Sequence, residues 1–155
     1  MADEQRPDAG HPVEIDSGLT ALLRDRVPFA DTLGVQVFEA SAARVCARLT
    51  FDPRLCTDVG TIHGGALMAL ADVCGGICAG LGLPAGSAGT TTIESKTNFL
   101  RPVRSGYVDA ISQPLHAGST TIVVETDLFD RDRRRAARIM QTQAVLWPRA
   151  ERPST

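Results

Sequence analysis

Most of this chain alternates apolar and polar residues with a period of two, and two stretches switch to a helical spacing. "GVQVFEA" (34–40) and "ARVCARLTF" (43–51) alternate. In the second, Val45, Ala47, Leu49 and Phe51 face one way and Arg44, Cys46, Arg48 and Thr50 the other, the pattern of a half-buried strand pair. Further strand runs cover 90–100, 106–113 and 119–129, and a fourth, 135–147, follows across the charged turn "DRDRRR". The first helical stretch is "SGLTALLRDRVP", with Leu19, Leu22 and Leu23 on one face, Asp16 or Ser17 as its cap and Pro28 as its stop. The second is "HGGALMALADVCGGICAG" (63–80), which predicts a helix from about Gly64 to Leu81, roughly 27 Å long. It is apolar nearly all round, so it is expected to be buried. Residues 52–62 read as a loop, with Pro53 and Gly60, and "GLPAGSAG" as a turn.

One buried helix beside a strand-rich remainder must be covered by a sheet. The expected class is α+β: an antiparallel sheet of five to six strands wrapped round one long central helix. A single domain over 15–148 is expected, with polar, Pro-containing tails at 1–14 and 149–155.

Charge and composition narrow the possibilities. A net charge of −2 gives no broad attraction to nucleic acid or anionic lipid. The run 64–83 reaches membrane-spanning length, but Asp72 at its midpoint is costly in lipid and no basic flank adjoins it, so no membrane partner is expected. Cys46, Cys56, Cys74 and Cys78 form no CxxC pair and no Cys/His zinc spacing. Free thiols in a reducing cytoplasm are the expectation, and "MADEQRPDAG" is unlike a secretory or transit segment. The Arg131, Arg133, Arg134 and Arg135 group is interleaved with Asp130 and Asp132 and reads as a solvated turn.

Candidate chemistry concentrates at 57–72. Gly64 and Gly65 open the long helix, where free N–H groups and the helix dipole favour negative charge, including the oxyanion of a carbonyl under attack. Asp72 has no Lys or Arg at i±3 or i±4. A carboxylate among apolar side chains is a poorly solvated, potent base or nucleophile; alternatively it bonds a buried backbone group or a partner subunit. His63 has three open roles: orienting the loop, contacting a carbonyl, or capping the helix. Cys56 with His63 lacks a third group for a nucleophile pair, and no serine sits in a G-x-S-x-G setting. Strand 90–100 has polar residues on both faces, Thr92, Glu94, Lys96 and Asn98 on one and Ser95 and Thr97 on the other. That suits a ligand site, a subunit seam or an exposed stretch.

"GTIHGGALMALADVCGG", "TTTIESKTNFLRPVRSG" and "LHAGSTTIVVETDLFDRDRRRAARIMQTQAVLW", in that order, resemble the hotdog-fold acyl-CoA thioesterases, nearest to the phenylacetate-pathway (PaaI-type) branch. The resemblance spans about residues 30–147. It implies a hotdog fold, hydrolysis of an acyl-CoA thioester without metal or redox cofactor, and coenzyme A arriving only as part of the substrate. It implies Asp72 as the catalytic carboxylate, Gly64 as the N–H donor to the thioester oxygen with His63 beside that oxygen, and Thr92 as the residue that helps place water. Gly65 belongs to the same substrate-binding turn. Thr57 stands where the family often has Asn, and Ser119 where it often has Arg or Lys after the H-x-G of a later strand. Both departures touch substrate contacts. Arg101 and Arg104 lie where the family meets the phosphates of coenzyme A; plain surface charge is the other reading. The resemblance also implies a homodimer or homotetramer with the active site at the dimer interface, Asp72 of one chain facing the Gly64 turn of the other. A non-catalytic acyl-CoA-binding module is the rival function, and a dehydratase on the same fold a third. With 5% aromatic residues the chain has no bias toward aryl acyl groups.

Overall fold

The computed structural model describes residues 14–148, so the expected tails, apart from Glu14, lie outside the described residues. Helix α1 (Ser17–Arg26) is capped by Asp16, whose carboxylate accepts the Leu19 N–H at 2.8 Å. Pro28 does not simply end it. It opens a second short helix, α2 (Pro28–Leu33), which the sequence reading lacked. Proline has no N–H to lose in a first turn, so the residue that stops one helix starts the next. Gly34, at φ 74°, then turns the chain out of α2.

The strands are β1 (Gln36–Ala40), β2 (Val45–Thr50), β3 (Gly89–Phe99), β4 (Tyr107–Ala117), β5 (Thr121–Asp130) and β6 (Arg135–Leu146). They form one antiparallel sheet in the order β1-β2-β4-β5-β6-β3. Helix α3 (Gly64–Leu81) lies between β2 and β3 in sequence and packs across the inner face, the hotdog arrangement expected. Alternation sets that face: Val45, Ala47 and Leu49 of β2, Val108 and Ala110 of β4, Val124 and Leu128 of β5, and Ile139 of β6 are all buried. β4 runs four residues beyond its predicted end, through Pro114. β2 pairs with β4 only up to Ser112, so Pro114 has no neighbour on one side to miss its N–H.

Two expectations need correction. α3 is not buried all round. Leu67, Leu70, Ala71, Cys74, Gly75, Cys78 and Ala79, at i, i+3, i+4 and i+7 spacing, form the buried arc. Gly65, Met68, Asp72, Gly80 and Leu81 are exposed. One chain has one sheet, which covers one side of a helix whose composition is apolar on both. Full burial of a leucine such as Leu70 contributes about 1.5–3 kcal/mol, and the exposed arc of α3 obtains none of this within one chain.

The second correction concerns β3. Strict alternation puts Thr92 and Glu94 on one face, but a bulge at Ile93 separates them. Thr92 pairs with Gln143, and Glu94 with Thr142, whose hydroxyl donates to it at 3.2 Å on the outer face. An extra residue in a strand reverses the facing of everything after it. Thr92, Thr97 and Phe99 therefore share the helix side, and Glu94, Lys96 and Asn98 the other.

Candidate active site

The N-terminus of α3 is prepared by its own loop. Thr57 and Thr61 close a turn through the Thr57 N–H to the Thr61 carbonyl (2.8 Å) and their paired hydroxyls (3.0 Å), with Gly60 at φ 71°. His63 is tied to the Leu55 carbonyl through its N–H (2.8 Å). Its side chain is the helix cap: Nδ1 accepts the Gly65 N–H at 2.9 Å. Of the three roles open to His63, capping is therefore filled, and the proton must sit on Nε2, which remains a donor. The His63 carbonyl accepts from Ala66 and Leu67. The Gly64 N–H has no acceptor among the described residues, as the first helical N–H of α3 should not.

Gly64 is a glycine for a visible reason. A Cβ there would lie 2.9 Å from the ring of Phe99, which packs over the helix end. Thr57, Thr61, Gly64, Phe99 and Arg101 border a hollow of about 410 Å³ at this end of α3. Arg101 is exposed there. Arg104 points elsewhere and donates to the Val59 carbonyl at 3.1 Å, bracing the loop.

A second constellation lies farther along α3. Asp72 Oδ1 accepts from Gln141 Nε2 at 2.6 Å and from Thr92 Oγ1 at 3.1 Å. Thr92 Oγ1 in turn accepts from Gln141 Nε2 (3.0 Å) and Gln143 Nε2 (2.7 Å). Thr90 donates to the Gln143 carbonyl oxygen at 3.1 Å. Asp72 has no ion pair, and its Oδ2 has no hydrogen bond, among the described residues.

The structure thus brings the expected residues together in two groups: Thr57, His63, Gly64, Gly65 and Arg101 in one, Asp72 with Thr92 in the other. Gly64 and Asp72 are eight residues apart on one helix, about 12 Å. Ser119 joins neither group. It lies in the β4–β5 turn, its carbonyl held by Trp147 Nε1 at 3.0 Å, five residues before Val124, the β5 partner of Gln141.

Sequence reading missed Gln141, Gln143 and Phe99. A signal for the glutamines existed: in "RIMQTQAVL" the alternation places them on the same face as Ile139 and Val145, where apolar residues are expected. The cysteines are free. Cys56 Sγ contacts the Asp52 carbonyl at 3.4 Å, and His63 Nδ1 is taken by Gly65, so the two make no nucleophile pair. Burial pushes the thiols of Cys46 and Cys78 up to about 11 and that of Cys74 higher still, which leaves all three as inert packing groups.

Comparison with known proteins agrees with this architecture. The family model of the thioesterase superfamily matches residues 59–137, from the loop before α3 into β6. The chain is 32% identical over 100 residues to the 1,4-dihydroxy-2-naphthoyl-CoA hydrolase of Escherichia coli (strain K12), covering 64% of this chain and 73% of that protein. Among solved structures, the mutant thioesterase PA1618 from Pseudomonas aeruginosa superposes with a TM-score of 0.77 at 27% identity, over 84% of this chain and 94% of the other. The E. coli PaaI protein from the phenylacetic acid degradation operon gives 0.73 at 19% identity, over 81% and 89%, a likeness of fold alone.

Proposed function

Because the chain belongs to the thioesterase superfamily, we propose that it hydrolyses an acyl-CoA thioester to the free acid and coenzyme A. The observation that carries this reading is the division of chemistry along α3. One end offers a Gly64 N–H, at a helix N-terminus, that has no acceptor among the described residues. The middle offers Asp72 with one oxygen engaged and the other open. The first can hold a developing oxyanion and the second can activate water.

A carbonyl carbon lies little more than 1 Å from its oxygen, so it cannot meet both groups of one chain about 12 Å apart. The two halves belong together in a dimer, Asp72 of one copy opposite the Gly64 turn of the other. The exposed arc of α3 and the edge strand β3 support such an assembly. β3 is eleven residues long, pairs with β6 alone among the described strands, and exposes Ile93 (61%) and Phe99 (53%). A long free edge that exposes apolar side chains such as these is a liability that a second copy removes.

In the proposed reaction the thioester oxygen accepts from the Gly64 N–H, with His63 Nε2–H beside it. Asp72 takes a proton from water as the water oxygen bonds the carbonyl carbon. The tetrahedral intermediate breaks its C–S bond, and Asp72 returns the proton to the departing thiolate. Direct attack by Asp72 through an anhydride uses the same atoms in a different order. Arg101, with its guanidinium unengaged by the loop, is the stronger candidate for a phosphate contact than Arg104. The free cysteines suit a reducing cytoplasm.

The test is a panel of acyl-CoAs assayed for free thiol. Turnover of at least one is expected. Saturable binding without thiol release would identify a binding module instead. Light scattering at micromolar concentration should give at least twice the chain mass; a monomer would end the shared-site reading.

A further inference from the structure

Resting on the reading of Asp72 as the reacting carboxylate, we infer that Gln141 is a positioning residue which fixes Oδ1 of Asp72, so that Oδ2 is the oxygen that acts on water or the thioester. The direction of every hydrogen bond in the cluster is determined by chemistry. A glutamine Nε2 can only donate. Thr92 Oγ1 accepts from both Gln141 and Gln143, which uses its two lone pairs. Its single hydrogen is then left for Asp72 Oδ1. Gln141 cannot be turned the other way, because its carbonyl would face a carboxylate. Among the described residues, two donors therefore converge on Oδ1 and none on Oδ2.

The cluster is also built at the expense of packing. Gln141 is fully buried, between inward-facing Ile139 and Gln143, and its Oε1 has no hydrogen-bond partner among the described residues. A residue present only to fill this space would be apolar. Helix α3 yields to it: a Cβ on Gly75 would collide with Oε1 of Gln141. A glycine in a helix interior weakens the helix. Here it gives the amide the room to reach Asp72 one turn away. Rotation of the carboxylate out of its plane would break both bonds to Oδ1 at once, so the other oxygen keeps one direction relative to the cluster.

The experiment is a double-mutant cycle on turnover. Gln141→Met keeps the volume and removes the donors. With an acyl-CoA substrate of the wild-type protein, it should lower kcat about tenfold or more, the effect of losing a hydrogen bond to a charged group. KM should stay within about twofold, since no substrate contact is lost. In an Asp72→Asn background, measured at high enzyme concentration, Gln141→Met should cost nothing further. Wild-type kcat in Gln141→Met, or an equal loss in both backgrounds, overturns the inference and leaves Asp72 as the reacting group. Near-normal turnover by Asp72→Asn removes the underlying reading instead. If Gln141→Met does not fold, Gly75→Ala displaces the same amide with the sheet sequence intact, and the same two outcomes are read from it.

Discussion

Two carboxylates on the outer face of the sheet, Asp127 and Asp109, contrast with Asp72 on the inner, helix-facing side. On the outer face, Asp127 is 3% exposed and gripped by Arg138 through both oxygens (2.8 and 2.7 Å), with Arg135 Nε 2.8 Å away. Asp109, 5% exposed, is held the same way by Arg48 (2.6 and 2.8 Å), whose guanidinium also stacks 3.4 Å from the centroid of Tyr107. The Arg48 and Arg138 pKa values rise because of these hydrogen bonds, against the opposing effect of burial. Every oxygen there is engaged and each charge is neutralised. On the helix side, Asp72 has, among the described residues, no cation, two neutral donors on one oxygen, and nothing on the other. A carboxylate whose charge is cancelled holds structure together. One whose charge is supported but left available can do chemistry.

Exchanging each acid for its amide should separate the two kinds. Asp72→Asn should reduce turnover at least about 10²-fold, with thermal unfolding nearly unchanged because no ion pair is lost. A fall in Tm as large as the fall in activity would make Asp72 structural. Asp127→Asn should do the reverse. It leaves Arg135 and Arg138 without their shared partner and should cost about 2 kcal/mol, below the limit for fully buried pairs because both arginines reach solvent. The corresponding drop is about 4–8 °C in Tm, and turnover per folded molecule should stay within about twofold.

The same distinction applies to cations, with smaller effects. Arg101 is unengaged by the loop and Arg104 is committed to Val59. Arg101→Ala should raise KM for acyl-CoA several-fold, about 1 kcal/mol for one exposed phosphate contact, at unchanged kcat, and should not affect a thioester lacking the nucleotide. Arg104→Ala should change KM less. Equal effects, or none, would assign the phosphates to other groups.

The smallest effect is a pH dependence. Asp130 is another saturated acid. Burial pushes its carboxyl up, but the Arg134 N–H and guanidinium and the Asp132 N–H outweigh this and hold it below the ordinary range. A depressed carboxyl adds stability above its unfolded value and loses it as the pH falls through the folded one. Wild type should therefore exceed Asp130→Asn in urea midpoint at neutral pH, with the gap closing as the pH falls below the ordinary aspartate range. A gap that widens in acid would contradict the sign.

Much of this was legible in the chain itself. The strand runs, the span Gly64–Leu81 and the isolation of Asp72 follow from local spacing, because helix and strand periods express which side of each element meets the core. The resemblance carried the fold and the expected roles further. Local spacing could not supply what depends on a second element. The bulge at Ile93 comes from pairing with β6 and puts Thr97 on the same helix-facing side as Thr92. Gln141 meets Asp72 across 69 residues of sequence, and Gly75 makes room for it only because that strand crosses there. The separation of Gly64 from Asp72 follows from the helix rise alone. Which oxygen of Asp72 stays open was decided only by tertiary structure, since hydrogen bonds between distant segments have no local period to betray them.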